Sequence, residues 1–562
     1  MNDPGAQRKA AAGPRTGGEA IVAGLIANGV DTVFGLPGAQ MYPLFDALAR
    51  NTDRIRTVGA RHEQACGYMA FGYGRSTGRP GVYSVVPGPG VLNTTAALAT
   101  GWGCNTPMVC LTGQIPSGFI GKRRGHLHEI PDQLGTLKSL VKWAARIERP
   151  ADAPALVAEA FRQAQSGRPG PVALEMAWDV MAGAEDVPAA AGAVLDMPPK
   201  PDPLAVSHAA NLIRAARCPI IMTGSGAQDA GPAIARLAER IGAPVAAFRG
   251  GRGVVDEAGP WGLSSYAAFR LYGECDLVIG IGTRLEMPTM RWANMMQVTT
   301  RLDGGRSLIR IDIDPDEMAR LEADAGIVAD SGEGVLALLD ALAGHRAVDN
   351  RERIAAARAE AAAEIRVVQP EIDYLDVIRD VVPADGLLVE ELCQVGFASY
   401  FGYPVHRPRT YVSTGFQGTL GYGFPTALGV KVAHPDKPVV AITGDGGFMF
   451  GVQELATAAQ YGIGLVTVLF NNEAYGNVRR DQETRYGNRL IGADLVNPDF
   501  PALAKAFGID TARVASPAEL RPVLARALLT ASASGRPVLI EVRLQRGSEA
   551  SPWPFIHPVK AY

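Results

Sequence analysis

Cysteine is scarce in this chain of 562 residues, which has only Cys66, Cys104, Cys110, Cys218, Cys275 and Cys393. No two of them form a CxxC pair, so neither a zinc site nor a disulfide framework is indicated, and a reducing compartment fits. An excess of charge of one sign is also missing. Lys and Arg number 54 against 57 Asp and Glu, a formal charge of −3, and no long basic run occurs. Nucleic acid and anionic membrane are thereby set aside as partners. No apolar stretch approaches the ~18 residues of a membrane span. The first 17 residues mix Arg, Lys and Asp with Gly and Pro instead of forming a signal-peptide core. They read as a disordered leader on a cytoplasmic protein. What is present is an ordinary globular composition, 47% hydrophobic and 20% charged. At about 150 residues per domain, the length allows three or four domains, each able to bury its own core.

Two stretches read as linkers. Residues 183–203 are rich in Ala, Pro and Gly, and residues 346–370 form a charged, Ala-rich helical passage ending at Pro370. Between them, short β-branched runs (81–86, 219–223, 277–281, 308–313, 438–443 and 465–470) end near Gly, Asp, Asn or Pro and precede Ala/Leu-rich segments of helical spacing. The pattern predicts an α/β protein of parallel sheets with crossover helices. In such sheets ligands sit at the carboxyl ends of strands, so chemistry belongs in the loops after those runs.

The run 438–443 ends in Gly444-Asp445-Gly446-Gly447, a helical stretch is expected over 448–460, and the run 465–470 ends in Asn471-Asn472. A right-handed strand-helix-strand unit brings both loops to one edge. One carboxylate and one amide carbonyl would converge there, a hard-oxygen pair too small for a calcium cage but suited to a Mg²⁺ that takes further ligands from a diphosphate. The glycines admit phosphates to backbone N–H groups, and a helix beginning near Phe448 would add its N-terminal dipole. Far upstream, Arg61-His62-Glu63-Gln64 opens a helix with an apolar face at Ala65, Tyr68 and Met69. A carboxylate at a helix start ordinarily just offsets the dipole.

GDG, 24 residues, then NN resembles the signature of thiamine-diphosphate (ThDP) enzymes. The segments 34–38 (FGLPG), 86–93 (VPGPGVLN), 112–114 (TGQ), 167–176 (GRPGPVALEM), 310–316 (RIDIDPD) and 415–428 (GFQGTLGYGFPTAL) follow the order seen in the acetolactate synthase, pyruvate oxidase and 2-oxo acid decarboxylase superfamily, and the likeness is to its acetolactate synthase branch. The resemblance implies three flavodoxin-like or Rossmann-like domains. They are an aminopyrimidine-binding domain over 18–182, a central domain over 204–345 and a diphosphate-binding domain over 371–546, followed by a tail, 547–562. It implies that Asp445, Asn472 and the main chain of Ala474 hold the metal. Gly396, Gly418, Leu420, Gly444, Gly446, Gly447, Tyr475 and Gly476 are expected around the cofactor, with Gly418 meeting the aminopyrimidine and Leu420 wedged between its rings. Glu63 becomes the group that bonds the aminopyrimidine and promotes removal of the thiazolium C2 proton. By the same resemblance the site forms across two subunits, implying a homodimer at minimum and a homotetramer as the usual state.

Gln114 is expected on the substrate side, the alternative being a buried glutamine that caps backbone. His126 and His128, in the loop Gly121–Gln133, are either proton shuttles or surface histidines. The central domain offers GSGAQDAG (224–231), GTR (282–284) and DIDPD (312–316), where relatives bind FAD, another adenine nucleotide or nothing. The expected activity is decarboxylation of a 2-oxo acid and transfer of the activated aldehyde to a carbonyl acceptor. A simple decarboxylase or C–C lyase, a flavin-dependent oxidase and a catalytically silent binding protein are the alternatives. Acetolactate synthases follow GxRF with two acids and an arginine that grips the acceptor carboxylate, whereas Met287 and Pro288 stand at the second acid and the arginine here, leaving Arg291 as a nearby substitute. Asn477 and Asp481 replace a methionine and a tryptophan, and Leu127-His128 replaces Phe-Gln. An acceptor other than a second pyruvate or 2-oxobutyrate is expected. The tail, with Trp553, Phe555 and Ile556 among three prolines, is expected to fold as a lid over the site or to pack on its own subunit.

Overall fold

The computed structural model describes residues 13–302 and 304–559. Strand β1 (Gly13–Thr16) pairs antiparallel with β8 (Ala184–Val187). Residues 13–16 of the expected leader are therefore strand, held by backbone pairing to a segment about 170 residues on, and residues 1–12 lie outside the described residues. The expected linker begins with β8 and then runs without helix or strand from 188 to 202.

Three six-stranded parallel sheets carry the rest. The first contains β2 (Thr32–Gly35), β3 (Arg56–Gly59), β4 (Gly81–Val85), β5 (Met108–Gln114), β6 (Trp143–Ile147) and β7 (Pro171–Ala177), in the order β3-β2-β4-β5-β7-β6. The second contains β9 (Pro219–Thr223), β10 (Val245–Ala247), β11 (Gly262–Leu263), β12 (Leu277–Ile281), β13 (Ser307–Asp312) and β14 (Ala325–Val328), ordered β11-β10-β9-β12-β13-β14. The third contains β15 (Leu387–Val389), β16 (Tyr411–Val412), β17 (Val439–Gly444), β18 (Val466–Asn471), β19 (Asp510–Val514) and β20 (Val538–Arg543), ordered β16-β15-β17-β18-β20-β19. The first and third sheets share one topology. The second has the dinucleotide-binding order, which reverses between β9 and β12.

The inner strands of these sheets are buried on both faces, which is why runs such as β9 and β12 read as unbroken apolar stretches, whereas edge strands such as β3 (RTVG) and β19 (DTARV) are partly exposed. In β9, Ile220 and Met222 enter one core while Ile221 enters another, as the two-residue period of a strand requires. The chain forms two compact units. One comprises residues 13–197 with Leu428–Ala433 and Gly451–Tyr461, and the other holds the remaining described residues. Within the second unit one core runs from Ile220 and Val278 of the central sheet to Val440, Val468 and Ile540 of the third.

The expected helix over 448–460 is broken. A short helix spans Asp445–Phe448, a 3₁₀ turn Val452–Glu454 and a second helix Leu455–Tyr461. Gly451 sits at the break with φ −126°, outside the helical region.

Candidate active site

Glu63 is the first residue of the helix Glu63–Thr77, which follows β3. His62 caps that helix, its Nδ1 accepting from the backbone N–H of Gln64 at 3.1 Å. The two preceding N–H groups are held by a residue that no local pattern announced. The fully buried Glu454 accepts from Arg61 N at 3.1 Å and from His62 N at 3.1 Å, and Thr457 Oγ1 donates to it at 2.5 Å. Burial raises the pKa of Glu454 against these donors. The Glu63 carboxylate accepts from Asn93 Nδ2 at 3.1 Å, and Gly90, in the turn just before Asn93, packs against Val86, where a Cβ would lie 2.5 Å from Cγ2.

His128 stands near Glu63, whose charge pulls the imidazole pKa up while burial, the larger effect, pushes it below its usual value. Its Nδ1 lies 2.6 Å from Gln40 Oε1, and Gln40 also donates to Leu127 O at 2.7 Å. His126 instead packs on Phe119, ring centroids 4.1 Å apart. Gln114 ends β5 as expected, but its carboxamide is turned inward. Its Oε1 accepts from Ile115 N at 2.7 Å, beside a buried network in which Gln133 donates to Glu175 at 2.8 Å and Arg146 ion-pairs with Glu175 at 2.6 Å. Gln133 in turn accepts from Gly88 N at 2.8 Å, fixing the turn that carries Gly90.

In the second unit, adjacent strands β17 and β18 bring Asp445 and Asn472 to one carboxyl edge, both buried. Asn497 Nδ2 ties Asp445 to the neighbouring Asn471, donating to Asp445 Oδ2 at 2.6 Å and to Asn471 Oδ1 at 3.1 Å. Glu473 is left-handed, φ +56°, which turns the chain sharply between Asn472 and Ala474. Asn472 Oδ1 accepts from Ala474 N at 3.0 Å, and its Nδ2 donates to Glu549 of the tail. Burial raises the pKa of both Asp445 and Glu549. A buried carboxylate of this kind, beside amide oxygens, is stabilised as an anion by a divalent cation, so the donor set fits Mg²⁺. Among the described residues no group of three or more His, Cys, Asp or Glu is arranged for a metal. A cation here would draw on Asp445 together with amide or main-chain oxygens, and the family resemblance offers Asn472 and Ala474 for that part.

The loop after β17 is backed by a second unforeseen carboxylate. Glu391, buried, accepts from Gly421 N at 2.6 Å and from Thr443 Oγ1, and burial pushes its pKa up to about 7. A Cβ on Gly447 would lie 2.5 Å from this carboxylate, and one on Gly446 would lie 2.4 Å from the Tyr475 ring. No larger residue fits at either position without displacing that ring or that carboxylate, so the loop keeps its backbone uncovered by side chains of its own at 446 and 447. Gly476 opens the next helix, Gly476–Arg485. Gly396 lies in the first turn of the helix Gln394–Gly402 after β15, its N–H 3.3 Å from Cys393 Sγ. Gly418 is left-handed, φ +57°, and Leu420 beside it is half-buried.

At the central sheet's reversal point the loops after β9 and β12 meet backbone to backbone, Gly226 N donating to Gly282 O at 3.1 Å. Arg291 is not a substitute arm free to grip a substrate. Its Nε donates to Glu286 Oε1 at 2.9 Å, and its Nη1 lies 2.7 Å from Nε2 of His557, whose pKa is pushed down to about 4 by burial and by that guanidinium. The tail packs within its own unit. Phe555 meets Tyr266 and Phe401 at ring centroid distances of 4.9 and 5.3 Å, Trp553 meets Phe397 at 5.1 Å, and the Trp553 indole N–H donates to Asn477 Oδ1.

Family models match in three places. The N-terminal thiamine pyrophosphate-binding domain fits residues 15–136, the thiamine pyrophosphate enzyme central domain residues 206–340, and the C-terminal binding domain residues 393–542. The chain is 33% identical to the acetolactate synthase large subunit of Parasynechococcus marenigrum, over 97% of this chain and 90% of that protein. It is 35% identical to the probable 2-ketoarginine decarboxylase of Pseudomonas aeruginosa, over 88% of each. It is 28% identical to the acetolactate synthase isozyme 1 large subunit of Escherichia coli, over 97% and 96%. With three matched domains, an α/β fold of three parallel six-stranded sheets and full-length relatives, this chain belongs to the thiamine pyrophosphate enzyme family and is a ThDP-dependent enzyme of its acetolactate synthase and decarboxylase branch.

Proposed function

We propose that the enzyme decarboxylates a 2-oxo acid and passes the activated aldehyde to a carbonyl acceptor that is neither a second pyruvate nor 2-oxobutyrate. The observation carrying this reading is the engagement of Arg291. With Met287 and Pro288 in the preceding positions and Arg291 bound to Glu286 and His557, positions 287–291 offer no free arginine for the bidentate grip on an acceptor carboxylate. When bound, ThDP supplies a thiazolium carbanion able to add to the 2-oxo carbonyl and accept the electrons that CO₂ leaves behind.

The protein's own groups would then divide the work. Asp445, Asn472 and the Ala474 carbonyl hold Mg²⁺, and the loop Gly444–Gly447 with Tyr475 and Gly476 holds the diphosphate. Gly396, Gly418 and Leu420 position the rings, and Glu63, oriented by Asn93 and Glu454, provides the proton handle. His128, whose pKa burial lowers, is placed to move a proton on the substrate side, with Gln40 fixing its ring. Gln114 shapes that side through Glu175. His126 lies against Phe119, and a proton role for it on this side would need the ring to leave that contact. The family resemblance further supports a homodimer or homotetramer as the working form, and the reversal point at β9 and β12 supports a dinucleotide such as FAD, which a visible absorption spectrum of the purified protein tests.

A second reading, simple decarboxylation without an acceptor, is favoured by the relative named as a 2-ketoarginine decarboxylase. A panel of 2-oxo acids with ThDP and Mg²⁺, scored for CO₂ and product mass, separates the two, since free aldehyde alone supports the decarboxylase. Acetolactate from pyruvate alone at ~10 s⁻¹ or above, an ordinary enzyme turnover, contradicts the proposed acceptor.

A further inference from the structure

The central sheet has a concave feature at its amino edge, opposite the reversal point between β9 and β12. A cavity of about 570 Å³ is bounded by the C-terminal half of the helix Gly231–Ile241, by Leu339 near the end of the helix Ser331–Ala341, by Trp261 just ahead of β11, and by the irregular connection 345–349. Trp261 O accepts from Val245 N at the start of β10, which places this wall at the amino edge of the sheet. The loops at 224–226 and 282–284 follow β9 and β12 and therefore lie at the carboxyl edge.

The lining is basic, with Arg236, Arg240, Arg346 and Arg351 facing two carboxylates, Glu239 and Asp349. Two of these arginines are occupied. Arg240 donates to Leu342 O at 3.0 Å, and Arg351 grips Asp349 with Nε to Oδ1 at 2.9 Å. Arg236 and Arg346 have no hydrogen-bond or ion-pair partner among the described residues. The usual duty of such arginines, compensating a helix C-terminus, does not account for them. That effect is confined to the last turn, whereas Arg236 lies five residues before Ile241 and Arg346 is in no helix. The indole of Trp261, half-buried against the core, adds a flat apolar wall. Guanidinium pairs recognise phosphate in bidentate fashion and an indole face accepts a planar ring. The volume lies within the range of small-molecule sites.

We propose that this amino-edge cavity binds a nucleoside di- or triphosphate, with Arg236 and Arg346 on the phosphates and Trp261 against the base. The site is separate from the ThDP site and from the carboxyl-edge crevice of the same sheet.

The test uses enzyme saturated with ThDP and Mg²⁺, so that the diphosphate cradle is already filled, and titrates ADP, ATP and pyrophosphate by calorimetry and tryptophan fluorescence. Saturable binding of ADP or ATP is expected, weakened at least ten-fold in Arg236→Glu/Arg346→Glu, with the fluorescence response lost in Trp261→Phe. Both arginines are exposed, so an unchanged melting temperature without nucleotide shows that the double variant is folded. A carboxyl-edge variant, Ser225→Glu, is expected to bind as the wild type does. Absence of nucleotide binding up to 1 mM, full affinity in the double variant, or loss of binding in Ser225→Glu would each overturn the proposal.

Discussion

Glu454→Ala is the sharpest structural perturbation available outside the cofactor-binding residues. Glu454 is completely buried and its carboxylate is the acceptor for the Arg61 and His62 N–H groups, the two donors immediately ahead of the Glu63 helix. Truncation leaves both donors without this partner in a part-buried site. Each orphaned buried donor costs about 1–3 kcal/mol, and loss of the Thr457 bond adds to this, so the expected destabilisation is about 3–5 kcal/mol. Glu454→Gln retains one carbonyl oxygen for the two N–H groups, and Thr457 can turn to accept from the new amide, so a cost of about 1–2 kcal/mol is expected. Urea denaturation of the wild type and both variants measures the series. The same variants should slow proton exchange at the cofactor, because the residue they release begins the helix that carries Glu63. An alanine variant within ~1 kcal/mol of the wild type would show that Glu454 does not hold that helix start.

Three other outcomes are expected. Asp445→Ala should abolish the thermal shift that ThDP and Mg²⁺ produce together, since ligands that bind only the native state stabilise it by mass action, and a retained shift would place the metal elsewhere. Glu371, fully buried, has its pKa pushed from about 4.5 up to about 8 by burial. The folded state therefore keeps a proton that the unfolded chain loses, so this group's contribution is intact below pH 4.5 and is lost progressively as pH rises to 8, by on the order of a few kcal/mol. Melting temperatures between pH 5 and 8.5 should accordingly fall less steeply in Glu371→Gln, and identical slopes would refute the assignment. Truncation after Arg546 removes Glu549 from Asn472 and bares the surface under Trp553, Phe555 and Ile556, so both melting temperature and Mg²⁺ affinity should drop. An unchanged Mg²⁺ titration in a folded truncated protein would detach the tail from the cation site.

Local patterns carried the framework and left out the supports. The apolar runs at 219–223 and 277–281 coincide with β9 and β12 because strands buried on both faces need no polar alternation. The loops Gly444–Gly447 and Asn471-Asn472 fall on one edge because consecutive parallel strands point the same way. The helix expected over 448–460 fails at Gly451, a residue whose cost in a helix was visible in the sequence. By contrast, the groups that orient the site have partners far away in the chain. Glu454 bonds Arg61 across 393 positions, Glu549 bonds Asn472 across 77, and Gln40 meets His128 across 88. No spacing rule reaches that far. Glu390-Glu391 after the apolar run 387–389 was the one local hint, since two adjacent acids behind a buried strand call for an explanation.

The most direct measurement is C2 proton exchange of ThDP bound to the enzyme, followed by NMR in wild type and in Glu63→Gln, with cofactor binding measured alongside. The variant keeps the side chain's shape and its contact with Asn93, so binding should persist while exchange slows by ~10²-fold or more, the usual weight of a general acid–base group. Exchange at the wild-type rate with cofactor fully bound would contradict the role assigned to Glu63.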